Sequence, residues 1–353
     1  MTLTTNEPHT ICILRLSAIG DICHTLPIVR TIQQNFPHSS ITWIIGKTEY
    51  GLIKDIPNIN FVVFDKKKGI SEYLKVRKQL KNVNFDVLLH MQMSLRASLL
   101  SLMIKATLKI GFDRQRAKDG QWLFTNKKIE SHSQQHVIES LFGFSNSLGI
   151  KEQNYVWDIP IPEAAKKSAD ALVENHSNYI IISPCSSKNY RNWNVKGYAA
   201  VADYISEKYG YNVVLTGGHS STEIKYGDEI FHSSNSSPLN LIAQTNLKEL
   251  LSIIKGAICV ISPDSGPAHM ATAMGTPVIG LYATTNPDRA RPYLSEKWVV
   301  NRYPDAIEKK HHKAIHELPW GTRVRDEWAM NLITNKDVMN MLDEFMQTSA
   351  NSK

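Results

Sequence analysis

An α/β protein made of two Rossmann-like halves is predicted by three features of the 353-residue sequence. Short, partly β-branched apolar runs recur between segments of helical spacing in both halves, the pattern of buried parallel strands covered by helices. The chain is longer than one core serves, and Ile159-Pro160-Ile161-Pro162 can continue neither a helix nor a central strand, so a linker falls there. Residues 257–293 then read as strand, tight turn, helix, strand and polar exit loop, which brings polar groups to one edge of an open sheet.

In order, residues 10–16 (TICILRL) read as a buried strand. It leaves through Ser17-Ala18-Ile19-Gly20-Asp21 into a helix over 22–34. That turn holds one glycine where a dinucleotide fingerprint needs three, so an NAD-type turn is not expected. Residues 41–46, 61–64 and 85–90 read as further strands, with a charged amphipathic helix over 72–81 between the last two. An apolar helix over 97–104 precedes a polar loop, 111–119, that carries Arg114, Arg116 and Lys118. A helix follows over 136–148.

Beyond the linker, 179–183 (YIIIS) is a strand with 184–193 as its exit loop, and 195–209 is a helix. The strand 211–215 leaves through Thr216-Gly217-Gly218-His219. Asn246 suits the cap of a helix over 247–255, which delivers the chain to a strand at 258–261. There Pro263-Asp264-Ser265-Gly266-Pro267 breaks the run. Ser265 stands where an N-cap should, Pro267 suits the first turn, and Gly266 admits close backbone approach. A helix start of this kind attracts phosphate, because unpaired N–H groups and the positive dipole end face outward. A terminal helix spans 328–346, and the last few residues, 348–353, are of low complexity.

Composition is that of an ordinary soluble globular protein, 42% hydrophobic and 21% charged. No run approaches the ~20 apolar residues of a membrane span, and the polar start lacks a signal-peptide pattern, so a cytoplasmic protein is expected. The four cysteines form no CxxC pair, and neither they nor the Lys309–Lys313 stretch, whose imidazoles sit among lysines, suggests a metal site. Residues 1–155 carry 20 Lys/Arg against 12 Asp/Glu, whereas 156–353 carry 20 against 21. That basic half suits an anionic partner: nucleic acid, anionic lipid or a phosphorylated acceptor. Singly, lysines such as Lys66–Lys68 are more ordinarily a solvated surface, and the absence of interleaved aromatics argues against single-stranded nucleic acid.

DSGPAH followed by GTPVIGLY and TNPDRARPY, with LRLSAIGDICHTLP, the GFDRQRAKD loop, QHV and RNW, resembles the bacterial lipopolysaccharide heptosyltransferases, most nearly heptosyltransferase I. The resemblance implies a GT-B fold: two Rossmann-like domains facing across a cleft, 1–160 for the acceptor and 161–330 for the donor. A C-terminal helix and tail, 331–353, would cross back to the first domain. It further implies inverting transfer of L-glycero-D-manno-heptose from ADP-L-glycero-D-manno-heptose to a Kdo hydroxyl of Kdo–lipid A, without a metal or other cofactor. The setting would be the cytoplasmic face of the inner membrane, with the enzyme peripheral on an anionic surface and no nucleic acid involved.

Read from the residues alone, Asp21 is either a helix cap or a proton acceptor at a strand exit; the resemblance makes it the catalytic base. Ser187, Lys188, Arg191, Glu223, Asp264, Ser265, Gly266 and His269 are then the donor residues. Arg191 stands where the family has lysine, and Glu223 is a ribose contact or plain surface. His24, Arg96, Arg114, Arg116 and Lys118 are the acceptor candidates, although a histidine at His24's position is ordinarily polar surface. The fourth-strand exit, HMQMSLRAS, departs from the family's usual acidic residue and Gln-Gly pair, which leaves the acceptor open. A heptosyltransferase II/III acting on heptose, a GT-B sugar-nucleotide epimerase and a non-catalytic ADP-sugar-binding or nucleic-acid-binding protein are the alternatives.

Overall fold

The computed structural model describes residues 7–351. The first six residues, most of the polar start, and the last two of the tail lie outside the described residues. By its internal contacts the chain divides after Pro160 into two units.

The first unit runs β1 (Thr10–Leu14), α1 (Ile19–Asn35), β2 (Ser40–Gly46), α2 (Lys47–Ile53), β3 (Ile59–Phe64), α3 (Ile70–Gln79), β4 (Asn84–His90), α4 (Leu95–Ser101), β5 (Lys105–Gly111), β6 (Lys127–Lys128) and α5 (Val137–Asn146). Its parallel strands stand in the order β3-β2-β1-β4-β5-β6. β1 is central, pairing Ile11 with Ile41 on one side and Val87 on the other. Both faces of such a strand are covered, which is why it reads as an unbroken apolar run. β5 (KATLKIG) did not read as a strand. Its lysines interrupt the apolar run, yet the Lys109 ammonium finds the Ser101 carbonyl at 2.9 Å while the backbone pairs with β4.

α1 begins three residues earlier than the spacing predicts. Asp21 is therefore inside its first turn, not at the cap, and its carboxylate accepts from the Ala18 N–H at 3.1 Å.

The second unit runs α6 (Glu163–Val173), β7 (Tyr179–Ile182), α7 (Val195–Tyr209), β8 (Asn212–Leu215), α8 (Ser221–Ser233), β9 (Leu239–Asn240), α9 (Leu247–Gly256), β10 (Val260–Pro263), α10 (Gly266–Met274), β11 (Val278–Tyr282), α11 (Pro287–Ala290), β12 (Val299–Asn301), α12 (Tyr303–His311) and α13 (Asn335–Asn351). The strands are parallel in the order β12-β11-β10-β7-β8-β9. Asn246 caps α9 reciprocally: its side chain accepts from Lys248 and Glu249, and the Glu249 carboxylate accepts from the Asn246 N–H at 2.8 Å.

The terminal helix, α13, buries Val338, Leu342 and Phe345 in the core of this second unit. Asp343 accepts there from Tyr204, Tyr209 and Lys208, at 2.6–2.9 Å. These residues pack on α7, β11 and β12. A short 3-10 segment, Glu327–Leu332, stands where the helix was expected to begin.

Trp193 locks this region. Its indole is fully buried and donates to the Ile333 carbonyl at 2.9 Å. A Cβ on Gly197 would lie 2.5–2.8 Å from three atoms of that ring. Gly197→Ala should therefore cost about 1–3 kcal/mol, because a buried indole has nowhere to move. Urea unfolding is the check, and an unchanged midpoint would mean that the ring yields freely.

Candidate functional site

Each sheet has one place where its strand order reverses, and ligands of open α/β sheets bind outside the strand ends at that place. In the first unit it lies between β1 and β4. Arg15 directly follows β1 with its guanidinium buried, donating to the Met91 carbonyl and meeting Asp21 Oδ2 at 2.5 Å. Gln92, just past β4, accepts from the Leu16 and Ser17 N–H groups at 3.0 and 3.1 Å. Gln121 secures β4's end from behind, donating to the His90 carbonyl at 2.8 Å. Burial, with Lys109 and Arg15 nearby, holds the His90 imidazole down at about 4, so the ring is neutral at physiological pH.

The Ala18 N–H and Arg15 both meet the Asp21 carboxylate at Oδ2, and its side chain is 39% exposed. Oδ1 is left to face solvent or a hydroxyl. Arg15 was read only as part of a strand; the pairing that makes it the orienting partner of Asp21 needs the turn to fold back.

The acceptor candidates separate. Arg96 and Lys118 are exposed, and Arg114, also exposed, lies over the Trp122 ring at 4.8 Å. Arg114 also lines a surface cavity of about 670 Å³ with Gln115, Lys128, Glu130, Ser131 and His132. Arg116 is taken up by its own surroundings. It pairs with buried Asp113 and donates to Ser140 Oγ at 2.6 Å, Gln135 Oε1 at 3.1 Å and the Glu130 carbonyl at 2.5 Å. Such a fan of contacts fastens the loop and leaves little for a ligand. His24 is not the polar surface expected of it; it is buried in α1 and meets the His136 ring edge-on at 5.7 Å.

In the second unit the reversal lies between β7 and β10, and Arg191 and Asp264 meet there. Arg191 Nη1 reaches Asp264 Oδ2 at 3.0 Å and its carbonyl at 3.2 Å. His269, on the first turns of α10, places Nε2 3.6 Å from Asp264 Oδ1. Burial pushes the Asp264 carboxyl up, but His269, Arg191 and Arg323 outweigh it and hold the group at about 2. A carboxylate so depressed stabilises the fold fully above its ordinary 3.8, and the contribution disappears as pH falls from there through 2. The stability gap between the parent and Asp264→Asn should accordingly shrink across that window, by on the order of 2 kcal/mol. Thermal melts would show it; a gap independent of pH would exclude the linkage.

Ser265 occupies the cap position of α10, but its side chain does not cap. Its hydroxyl lies 2.7 Å from Ser262 Oγ, which leaves the helix's first N–H groups without a side-chain cap. Gly266 is the first helical residue, so the backbone there is bare. Glu223 is neither loose surface nor free. It accepts from the Gly218 N–H at 2.8 Å and Ser220 Oγ at 2.6 Å, bracing the β8 exit. Ser187 and Lys188 are exposed on the β7 exit.

Buried polar atoms without a partner gather along this edge among the described residues: Arg191 Nε after β7, Thr216 Oγ1 after β8, and Thr285 Oγ1 and Asn286 Nδ2 after β11. Buried groups of this kind ordinarily find partners, so a cluster of orphans marks ground for a polar ligand. The residue that sequence reading missed altogether is Arg323. An antiparallel bridge to Thr285, with the Val324 N–H on the Thr284 carbonyl at 3.0 Å, carries it into range of Asp264. No local signal marks it.

Two doubly wound parallel units, the second with an uncapped helix start beside Arg191 at its reversal, make up a fold of the GT-B class. The same fold is seen in a family 9 glycosyl transferase from Veillonella parvula, with a TM-score of 0.79 and 21% identity over 96% of this chain and 97% of that one. The Escherichia coli heptosyltransferase WaaC with ADP superimposes with a TM-score of 0.69 and 18% identity, over 95% and 99%. The chain belongs to glycosyltransferase family 9, the heptosyltransferases: the family model matches residues 73–318. It is 42% identical to the lipopolysaccharide core heptosyltransferase OpsX of Haemophilus influenzae, over 97% of this chain and 98% of that protein.

Proposed function

We propose that the protein transfers heptose from ADP-L-glycero-D-manno-heptose to a Kdo hydroxyl of Kdo–lipid A, in the assembly of the lipopolysaccharide inner core. The observation that carries the donor half is the row of orphaned buried groups beside the uncapped α10 start. A nucleoside diphosphate has oxygens to pair with every one of them. ADP in the WaaC structure and the lipopolysaccharide core named for OpsX support the same reading.

In the reaction, Asp21 takes the proton of the acceptor hydroxyl as its oxygen bonds to the anomeric carbon. The bond from that carbon to the ADP oxygen breaks, and ADP leaves with the electron pair. Arg191, Arg323 and the α10 N–H groups supply positive charge where the leaving phosphate gains negative charge; the proposal assigns that role to the protein's own groups and to no metal. The enzyme would work on the cytoplasmic side, peripherally. No helix among the described residues is long and apolar enough to cross a membrane.

Incubation with ADP-heptose, with and without Kdo–lipid A and in the presence of EDTA, tests this. ADP release that depends on acceptor and ignores EDTA is expected. Release with a heptosylated acceptor alone would make it a II/III-type enzyme, and an epimerised sugar would overturn transfer. On the acceptor side, Arg114→Ala and Lys118→Ala should raise KM for a soluble, O-deacylated acceptor several-fold with donor affinity unchanged. Arg116→Ala should instead lower the melting temperature, since it leaves buried Asp113 unpaired. Steady-state kinetics beside thermal melts separates the two; an unchanged KM in the first pair would move the acceptor toward Gln92 and Arg96.

A further inference from the structure

Seven of the eleven large hydrophobic side chains exposed among the described residues lie on one stretch of the first unit. α3 shows Ile70 and Leu74, α4 shows Leu95 and Leu99 with Leu102 just beyond, and a 3-10 turn shows Trp122 and Leu123. These elements are neighbours. α3 and α4 send Val76, Leu80, Ala97 and Leu100 into one shared core, and the Tyr73 hydroxyl donates to the Arg96 carbonyl at 3.3 Å. The Leu95 N–H in turn donates to Asp119 of the following loop at 3.2 Å. Since the inward faces of both helices are accounted for, the outward leucines serve no fold.

Charge says what covers them. Residues 66–123 hold 13 Lys/Arg against four Asp/Glu, a larger excess than the whole chain's +7. Of those four acids, Glu72 and Asp113 are buried and already paired with Lys75 and Arg116. Lys66–Lys68, Arg77, Lys78 and Arg96 are exposed around the apolar side chains. Cations interleaved with leucines and a tryptophan suit the interface of an anionic bilayer, where the apolar groups enter below the headgroups and the cations meet them. A protein partner of ordinary chemistry would not need the excess of one sign.

We propose that the α3–α4–Trp122 face inserts into an anionic lipid surface and seats the enzyme there. The proposal gives the peripheral location in the functional reading a surface, and it rests on that reading only for its purpose, not for its test. The intact protein is floated with vesicles of phosphatidylethanolamine and phosphatidylglycerol, and with phosphatidylcholine alone. Binding to the anionic vesicles only is expected, with a Leu74→Ser/Leu99→Ser/Leu102→Ser variant weakened about 10-fold or more. Arg77→Glu/Lys78→Glu should weaken it too, and salt should weaken the parent, because exposed charges are screened beyond ~8–10 Å at physiological ionic strength. Circular dichroism must show both variants folded. Transfer to a soluble, O-deacylated acceptor should stay at the parent's rate in both, so lost flotation and lost function are read separately. Folded leucine variants that float like the parent would overturn the proposal. So would a parent dimer in sedimentation that the leucine changes split while flotation persists, for then the face joins two copies of the chain.

Discussion

Asp21→Asn is expected to lower turnover by about 10²–10⁴-fold while leaving the affinity for ADP-heptose unchanged within about two-fold. Asparagine keeps the shape of the side chain and its acceptance from the Ala18 N–H, so the turn should survive. What it loses is the capacity to take a proton. Arg15, which donates to the Met91 carbonyl, meets the carboxylate through Oδ2, so in the proposed reaction Oδ1 is the oxygen that would take the acceptor's proton. The arrangement predicts a second-order consequence: Arg15→Met should also impair turnover, by letting the carboxylate rotate. Single-turnover rates with saturating donor and acceptor, beside calorimetric titration with the donor, decide the matter. An Asp21→Asn enzyme turning over near the parent's rate would take Asp21 out of the chemistry.

Arg191→Met should weaken ADP binding by about 10–100-fold, the value of one to two charge-assisted hydrogen bonds. Lysine should not restore it. Arg191 holds both the carboxylate and the carbonyl of Asp264 through Nη1 while its buried Nε has no protein partner, and an ammonium cannot reproduce that fork. The loss should appear in kcat as well, because the departing diphosphate is where negative charge grows. Asp264 would keep His269 as a hydrogen-bond partner and Arg323 as a counter-charge, so the fold should tolerate the change. Calorimetry with ADP gives the answer directly. Parent-like affinity in Arg191→Met would place the nucleotide away from the β7–β10 reversal.

Much of this organisation is local, and the sequence alone determined it. β1, β2 and β7 read as strands because parallel strands covered on both faces must be apolar along their length. The α9 cap, the linker around Pro160 and the spacing that puts Asp264, Gly266 and His269 on a strand exit and the helix after it are also short-range facts. β5, by contrast, was hidden by lysines whose stems and ammonium groups only the folded neighbours accommodate. The cap that Ser265 promises is absent because Ser262, three residues earlier in β10, takes its hydroxyl.

Tertiary structure alone decided which charges meet. Asp21 faces Arg15 only after the turn closes, and Gln92 reaches Leu16 and Ser17 only because β4 lies beside β1. Arg116 is withdrawn into its loop by Asp113, Gln135 and Ser140, while Arg114, two residues away, is exposed. Arg323 reaches Asp264 through a strand bridge that no spacing announces. Local spacing dictates backbone conformation, because helices, caps and turns form between near neighbours. Ion pairs and orphaned donors depend instead on which distant segments the sheet order makes adjacent, and that order is settled by packing.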